Sequence, residues 1–352
     1  MKTRQPFLLK CLAITGVFCV VAALACRHAF PPTVQKMPNP FEQLASQEAD
    51  TDFNVVVFSD IAHNYQTIDQ ELEAVNATGA DFAICNGDLV NYGSSENEFN
   101  YVQRKLIQKI KMPLFILPGN HDNHPEVGFE RYRAFFGLEH YFWSYADTLF
   151  VAINTANRHF TDSECLFLKQ TLEQERSKFR RCVLVMHCPP VDLRPHKKTH
   201  AMKIQQEIDA LADLVAAHHV DMIVTSHLHW FLEGRFGGAP IFHTPSGGQR
   251  VRDTGNPNIG YVLMSFKKDG DIQLERVNVT AERGRNLEFV CLMVARYFPW
   301  IVGSGLMLLS VSACVALLSL WEMVKRRTDV YENESYAANA LEIVECRRQA
   351  GQ

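Results

Sequence analysis

The 352-residue sequence is short of several features that mark broad functional classes. It has no excess of positive charge: 35 lysines and arginines face 39 aspartates and glutamates, for a net charge of −4. A basic stripe for nucleic acid is therefore not expected. None of the ten cysteines forms a C-x-x-C pair. Cys11, Cys19, Cys26, Cys291 and Cys314 lie in or beside apolar segments and Cys346 in the tail, leaving only Cys85, Cys165, Cys182 and Cys188 for the folded body. That distribution favours buried thiols over a disulfide frame or a zinc knuckle. No internal repeat is visible, which argues against a solenoid.

Charge is missing altogether from two stretches. The first, "CLAITGVFCVVAALAC", follows Lys2, Arg4 and Lys10 and has signal-peptide length. Ala23-Leu24-Ala25 fits the small-x-small pattern before a cleavage site, so residues 1–26 read as an export signal or an uncut membrane anchor. Acylation of Cys26 is a third form. The second stretch, Tyr297 to Trp321, has aromatics at both ends and Lys325-Arg326-Arg327 just beyond. It is long enough to cross ~30 Å of hydrocarbon and is expected to be a transmembrane helix. With both basic flanks inside, the segment between lies outside the cytoplasm and the polar tail 322–352 returns to it. Arg276, Arg283, Arg285 and Arg296 crowd the outer side and weaken that charge argument.

Pro31, Pro32, Pro38 and Pro40 make 27–52 read as a linker, and Phe53 to about residue 280 reads as one α/β domain. Its strand-like runs are "FNVVVFS", "DFAICN", "PLFILP", "TLFVAIN", "CVLVMH", "VDMIVTS" and "APIFHT". Helical periodicity appears in "TIDQELEAVNAT", "EFNYVQRKLIQKI", "SECLFLKQTLEQERSKF" and "AMKIQQEIDALADLVAAHH". Ligands of α/β sheets collect at the carboxyl ends of strands, and five of the seven runs end in a residue able to bind metal. These are Asp60 in "FSD", Asp88 in "NGD", Asn120 in "PGNHD", His187 in "VMH", and His227 with His229 in "SHLH".

Taken singly, each has an ordinary explanation as a helix cap, a turn residue or a core histidine. Together, carboxylate and amide oxygens with imidazoles suit Zn, Mn or Fe better than Ca. Gly87 and Gly119 allow tight turns before Asp88 and Asn120.

The order D…GD…GNHD…H…SHxH over about residues 53–280 resembles the calcineurin-like metallophosphoesterase family. That resemblance implies a four-layer α/β/β/α sandwich holding two divalent metal ions, to which this chain adds a C-terminal transmembrane helix. It implies that Asp88 bridges the metals, that Asn120, His187 and His227 complete one site, and that Asp60 and His229 serve the other. His121 is similar to the family histidine that protonates the leaving oxygen, and Asp122 to the carboxylate orienting it. The implied reaction is in-line attack of a metal-bridging hydroxide on a phosphomonoester, phosphodiester or pyrophosphate. The expected partners are a phosphorylated small molecule or lipid and a membrane, with no nucleic acid.

Two positions depart from the family pattern. The first motif usually reads Asp-x-His, and here Ala62 holds the histidine place; His63 replaces it only if the loop carries an extra residue. Ser226 stands where glycine normally precedes His-x-His. Ala62 motivates the alternative reading, a degenerate domain that binds a phosphorylated ligand or a protein partner without hydrolysis. Asn91, Tyr92, His124, His196, Lys197, Lys198, His200 and His243 follow the motif loops as candidates for the cleft wall or as solvated loop residues.

Overall fold

The computed structural model describes residues 4–29, 35–47, 52–62, 67–195, 200–248, 259–279, 300–314 and 317. Two compact units are present, one made of 1–29 with 293–352 and the other of 30–292.

The first unit contains α1 (Arg4–Ala29) and a second helix over 300–314, named below. Among the described residues no helix is long and apolar enough to cross a membrane. The span expected over Tyr297–Trp321 lies partly outside the described residues; the fifteen continuous residues of 300–314 reach about 22 Å at helical rise. The tail beyond 317 also lies outside them.

The second unit begins inside the segment expected to be a linker. Pro40, at the first helical turn behind an Asn39 cap, starts α2 (Pro40–Ala45). Leu44 of α2 enters the core, and Phe41 meets Phe115 and Tyr141 edge-on. Gln35 and Gln103 exchange two hydrogen bonds of 2.9 Å. The proline-rich composition conceals this docking, because its apolar anchors are only two residues.

The remaining elements are β1 (Phe53–Phe58), α3 (Ile68–Ala77), β2 (Phe82–Asn86), α4 (Glu96–Lys109), β3 (Leu114–Leu117), α5 (Glu130–Phe136), β4 (Tyr141–Tyr145), β5 (Thr148–Ala152), α6 (Asp162–Glu175), β6 (Arg181–Val185), α7 (Gln205–Ala217), β7 (Met222–Thr225), β8 (Leu232–Phe236), β9 (Ala239–His243), β10 (Gly260–Phe266) and β11 (Gln273–Asn278). The helix over 300–314 is α8. One sheet has the order β11-β10-β1-β2-β3 and the other β4-β5-β6-β7-β9-β8. The two sheets face each other: Val55, Val57, Phe82, Ile84, Phe115 and Phe266 pack against Trp143, Phe150, Val183, Val185, Val224 and Phe242. The outer face of the second sheet packs on α6 and α7 through Leu149, Val151, Leu184 and Ile223 against Leu168, Leu172, Leu211 and Val215. This is the expected arrangement of two sheets with flanking helices.

All seven expected runs are strands: β1, β2, β3, β5, β6, β7 and β9. β1, β2 and β3 run parallel, as do β5, β6, β7 and β9, so their carboxyl ends deliver side chains to one rim of each sheet.

Candidate metal centre

Each candidate ligand sits just past the end of a parallel strand, where the chain must reverse sharply. Asp60 (φ 54°), Asp88 (φ 55°), His227 (φ 71°) and His229 (φ 56°) all adopt left-handed backbone, four of the seven non-glycine residues described as doing so. That conformation costs an L-residue on the order of 1–2 kcal/mol, and such strain concentrates where side chains are held for function. The loops interlock: the Asp60 amide donates to the Gly87 carbonyl at 2.9 Å, and the Ala62 amide to the Asp88 carbonyl at 3.1 Å. Gly119 is required for the approach, since a Cβ there would lie 2.2 Å from Asp88 Oδ1.

The ligand atoms converge. Asp60, Asp88 and His187 each offer one within 4.8 Å of the others. His187 Nε2 lies 3.2 Å from Asn120 Oδ1 and 3.4 Å from Asp88 Oδ1, and His229 Nε2 lies 3.1 Å from Asp60 Oδ1. The backbone amide of His227 reaches Asp60 Oδ2 at 3.4 Å, while His227 Nε2 is buried without a hydrogen-bond partner. His187 Nδ1 donates to the Asn86 carbonyl at 2.8 Å, since a carbonyl only accepts. A proton is thereby fixed on Nδ1 and Nε2 is the ring atom turned toward Asp88 and Asn120, where a metal would replace its proton.

Electrostatics point the same way. Asp60 and Asp88 are 0% and 1% exposed, and two buried carboxylates this close require positive charge. Protons meet that need here: although burial depresses an imidazole, the Asp88 carboxylate outweighs it and raises His187 to about 9. Burial likewise opposes the ionisation of Asp88, yet His187, His121 and His227 hold it below the usual carboxylate range. His227 falls to about 3, through burial and then the charge of His187. His229 is raised, Asp60 overcoming its burial. A paired oxygen and imidazole donor set, an unpartnered buried imidazole nitrogen and a deficit of positive charge fit divalent cations.

The two departures from the family pattern resolve differently. Ala62 is fully buried and its amide is bonded to the Asp88 carbonyl, so position 62 itself offers no metal ligand. His63 lies outside the described residues. Ser226 does not need left-handed backbone, and its hydroxyl accepts from Asn86 Nδ2 at 2.7 Å and from Thr244 at 3.0 Å, bonds glycine cannot make.

Asp122 does a different job from the one expected. Its Oδ1 accepts from the Leu89 and Val90 amides at 2.9 and 3.1 Å, and its Oδ2 from the Gly119 amide at 2.7 Å. It clamps the Asp88 loop to the Asn120 loop. The His121 ring is instead held through Nδ1 by the Asn91 carbonyl at 2.9 Å, and the His121 amide donates to Asp88 Oδ1 at 2.8 Å. Of the other cleft candidates, the His200 ring lies 6.1 Å from that of His227. His243 is buried against Thr225, and Tyr92 is exposed. His124 accepts from the Glu126 and Val127 amides, and His196, Lys197 and Lys198 lie outside the described residues.

The model of the calcineurin-like phosphoesterase family matches residues 53–231. The chain belongs to this family. That family generally binds a dinuclear metal centre. Among solved structures, a purple acid phosphatase from yellow lupin (Lupinus luteus) is 14% identical over 67% of this chain and 53% of its own, with a TM-score of 0.53. This chain thus spans about half the length of that enzyme, and the likeness is one of fold. A candidate 5′-nucleotidase from Staphylococcus aureus is 13% identical over 70% of this chain and 58% of its own, with a TM-score of 0.46. No curated protein matches the chain.

Sequence reading missed the residues that hold the ligands. Asn86 donates to the Met186 carbonyl and to Ser226 while its own carbonyl fixes His187. The only signal was a polar residue closing an apolar strand in "FAICN". Cys188 was read only as a buried thiol, but its Sγ lies within 4.8 Å of ligand atoms of both His187 and His227.

Proposed function

We propose that the chain is a membrane-tethered, metal-dependent phosphoesterase acting on a phosphomonoester, phosphodiester or pyrophosphate outside the cytoplasm. The observation that carries this reading is the convergence of Asp60, Asp88 and His187 within 4.8 Å, flanked by Asn120 and His229. Asp60, Asp88 and His229 would hold one cation, and Asp88, Asn120, His187 and His227 the other. When bound, such cations neutralise phosphoryl charge and acidify water.

The chain's own residues supply positioning and proton transfer. His121, held at Nδ1 by the Asn91 carbonyl, keeps Nε2 as the atom that gives a proton to the departing oxygen. Asp122 acts through the loops and not on the substrate. Asn86 keeps the His187 lone pair directed into the site. The two apolar stretches and their basic flanks support the tether and a cytoplasmic tail, and a tether favours a lipid or surface substrate.

The test is metal-dependent hydrolysis of a chromogenic phosphomonoester and diester by the full chain. Wild type should turn over at least one of them, and chelation should abolish this. Ala62 favours a second reading, a domain that binds phosphorylated ligands without hydrolysing them; no turnover of any phosphoester by metal-loaded protein would select it.

A further inference from the structure

A cleaved export signal needs an apolar core but no partner within the protein. α1 has one. Within the first unit, a Cβ built on Gly16 would lie 2.8 Å from the Gly305 carbonyl oxygen and 3.0 Å from Leu309 Cγ. A Cβ on Gly305 would lie 2.9 Å from the Gly16 carbonyl oxygen, 3.0 Å from Val20 Cγ2 and 3.4 Å from Cys19 Cβ. The contact is reciprocal: each glycine admits the backbone of the other helix, and a Cβ at either place requires the helices to shift slightly apart. Gly305 meets Cys19 and Val20 while Leu309, one turn later, meets the earlier Gly16, so the helices run antiparallel.

The seam is narrow. In α1 only Gly16 is buried among the described side chains, and in α8 only Gly305 and Ser312. Large apolar side chains away from it are uncovered: Phe18 is 70% and Met307 69% exposed, alongside Ile14, Val21 and Leu306. Leaving such side chains in water forgoes the stabilisation that burying them would give. Two of the α8 hydroxyls turn back to the helix: Ser310 Oγ donates to the Leu306 carbonyl at 2.9 Å and Ser312 Oγ to the Leu308 carbonyl at 2.8 Å. Helices that satisfy their polar groups internally and expose apolar side chains broadly suit hydrocarbon. A second copy of the chain would cover one more stripe, whereas acyl chains cover the whole outer surface. In the sequence each apolar stretch has a basic flank, Lys2 to Lys10 before the first and Lys325 to Arg327 after the second, which matches the asymmetry of positive charge in membrane proteins for a hairpin.

We propose that α1 is retained in the finished protein as the partner of α8, crossing it at Gly16 and Gly305, and that lipid acyl chains cover the outer faces of this helical hairpin. The proposal rests on the membrane placement above and is independent of the hydrolytic reading.

Disulfide trapping tests it in membranes holding the full chain. The Cβ position of Gly305 lies 3.4 Å from Cys19 Cβ, and the slight separation that a side chain there requires brings it into the roughly 3.5–4.5 Å found between disulfide-linked Cβ atoms, so G305C should couple to the native Cys19 on mild oxidation. The matched control is G303C, whose Cβ would meet nothing within 4 Å. The expected result is about tenfold or more linked peptide from G305C than from G303C, lost when Cys19→Ser is added. Equal linkage from the two variants would overturn the crossing. Wild type needs no variant: peptide mapping of the membrane-bound protein should recover α1 joined to the residues that follow it, and a new N-terminus near Cys26 would overturn retention. Alkaline carbonate should leave the chain in the membrane pellet, and its release would overturn the lipid covering. Phosphoesterase activity of the same membranes reports separately on the hydrolytic reading.

Discussion

The two halves of the metal centre share Asp88 but are built to different standards. Around His187, every supporting group is in place: Asn120 at 3.2 Å, Asp88 at 3.4 Å, and the Asn86 carbonyl behind the ring at 2.8 Å. Around Asp60 the set is thinner among the described residues. His229 stands 3.1 Å away and Ser59 donates to the carboxylate at 2.5 Å, but position 62, where the family pattern carries histidine, is a buried alanine. The difference shows that a motif's spacing can be kept while its chemistry is reduced. The Ala62 to Asp88 backbone bond anchors the loop, so position 62 itself supplies no imidazole, and His63 beside it lies outside the described residues.

The largest expected effect comes from the shared residue. Asp88→Asn removes the negative charge common to both halves, and loss of several kcal/mol of charge stabilisation corresponds to about a 10³-fold fall in turnover. Steady-state hydrolysis and metal content should fall together; turnover unchanged within tenfold would break the assignment of Asp88. Asn86→Ala probes only the better-built half. Loss of an orienting partner behind a ligand lowers metal affinity about 10–100-fold, which a competition titration with a chromogenic chelator reads directly. Ala62→His probes the other half and should tighten its metal about tenfold or more, a gain of roughly 1.4 kcal/mol or more. No gain would mean that another group already fills the place.

The smallest effect concerns stability. Glu71 of α3 is fully buried, with both carboxyl oxygens lacking a hydrogen-bond partner, and burial followed by the charge of Asp60 pushes its carboxyl well above the usual range. The unfolded chain releases this proton at the ordinary carboxylate value and the folded chain holds it. Stability is therefore lost as pH rises above that value toward the raised one. Glu71→Gln should raise the melting temperature at neutral pH and flatten its decline between pH 5 and 8 relative to wild type, as read by thermal denaturation; identical slopes would refute the linkage.

How much of this was legible in sequence follows from burial. The strands buried on both faces announce themselves as apolar runs, and all of them carry or adjoin the site. The strands not recognised are mostly edges: β4 alternates burial through Tyr141, Trp143 and Tyr145, and β8 places Glu233 and Arg235 outward. β10 reads as apolar as the others, but it runs antiparallel to β1 and no metal-binding residue marks its end. The ligand residues were legible because chemistry restricts their types. The groups that orient them, Asn86 and the Asn91 carbonyl, were not, since a backbone carbonyl has no sequence signature and Asn86 is one polar residue among many. Asp122 was legible as a motif position but not in its task, which depends on three amides from two loops.

The most direct test of the unequal halves is metal stoichiometry. Elemental analysis of wild type and Ala62→His after exhaustive dialysis should find about one tightly held metal per wild-type chain and nearly two in the variant, as expected for a complete and an incomplete ligand set. Two tightly held metals in wild type, unchanged by Ala62→His, would contradict the account.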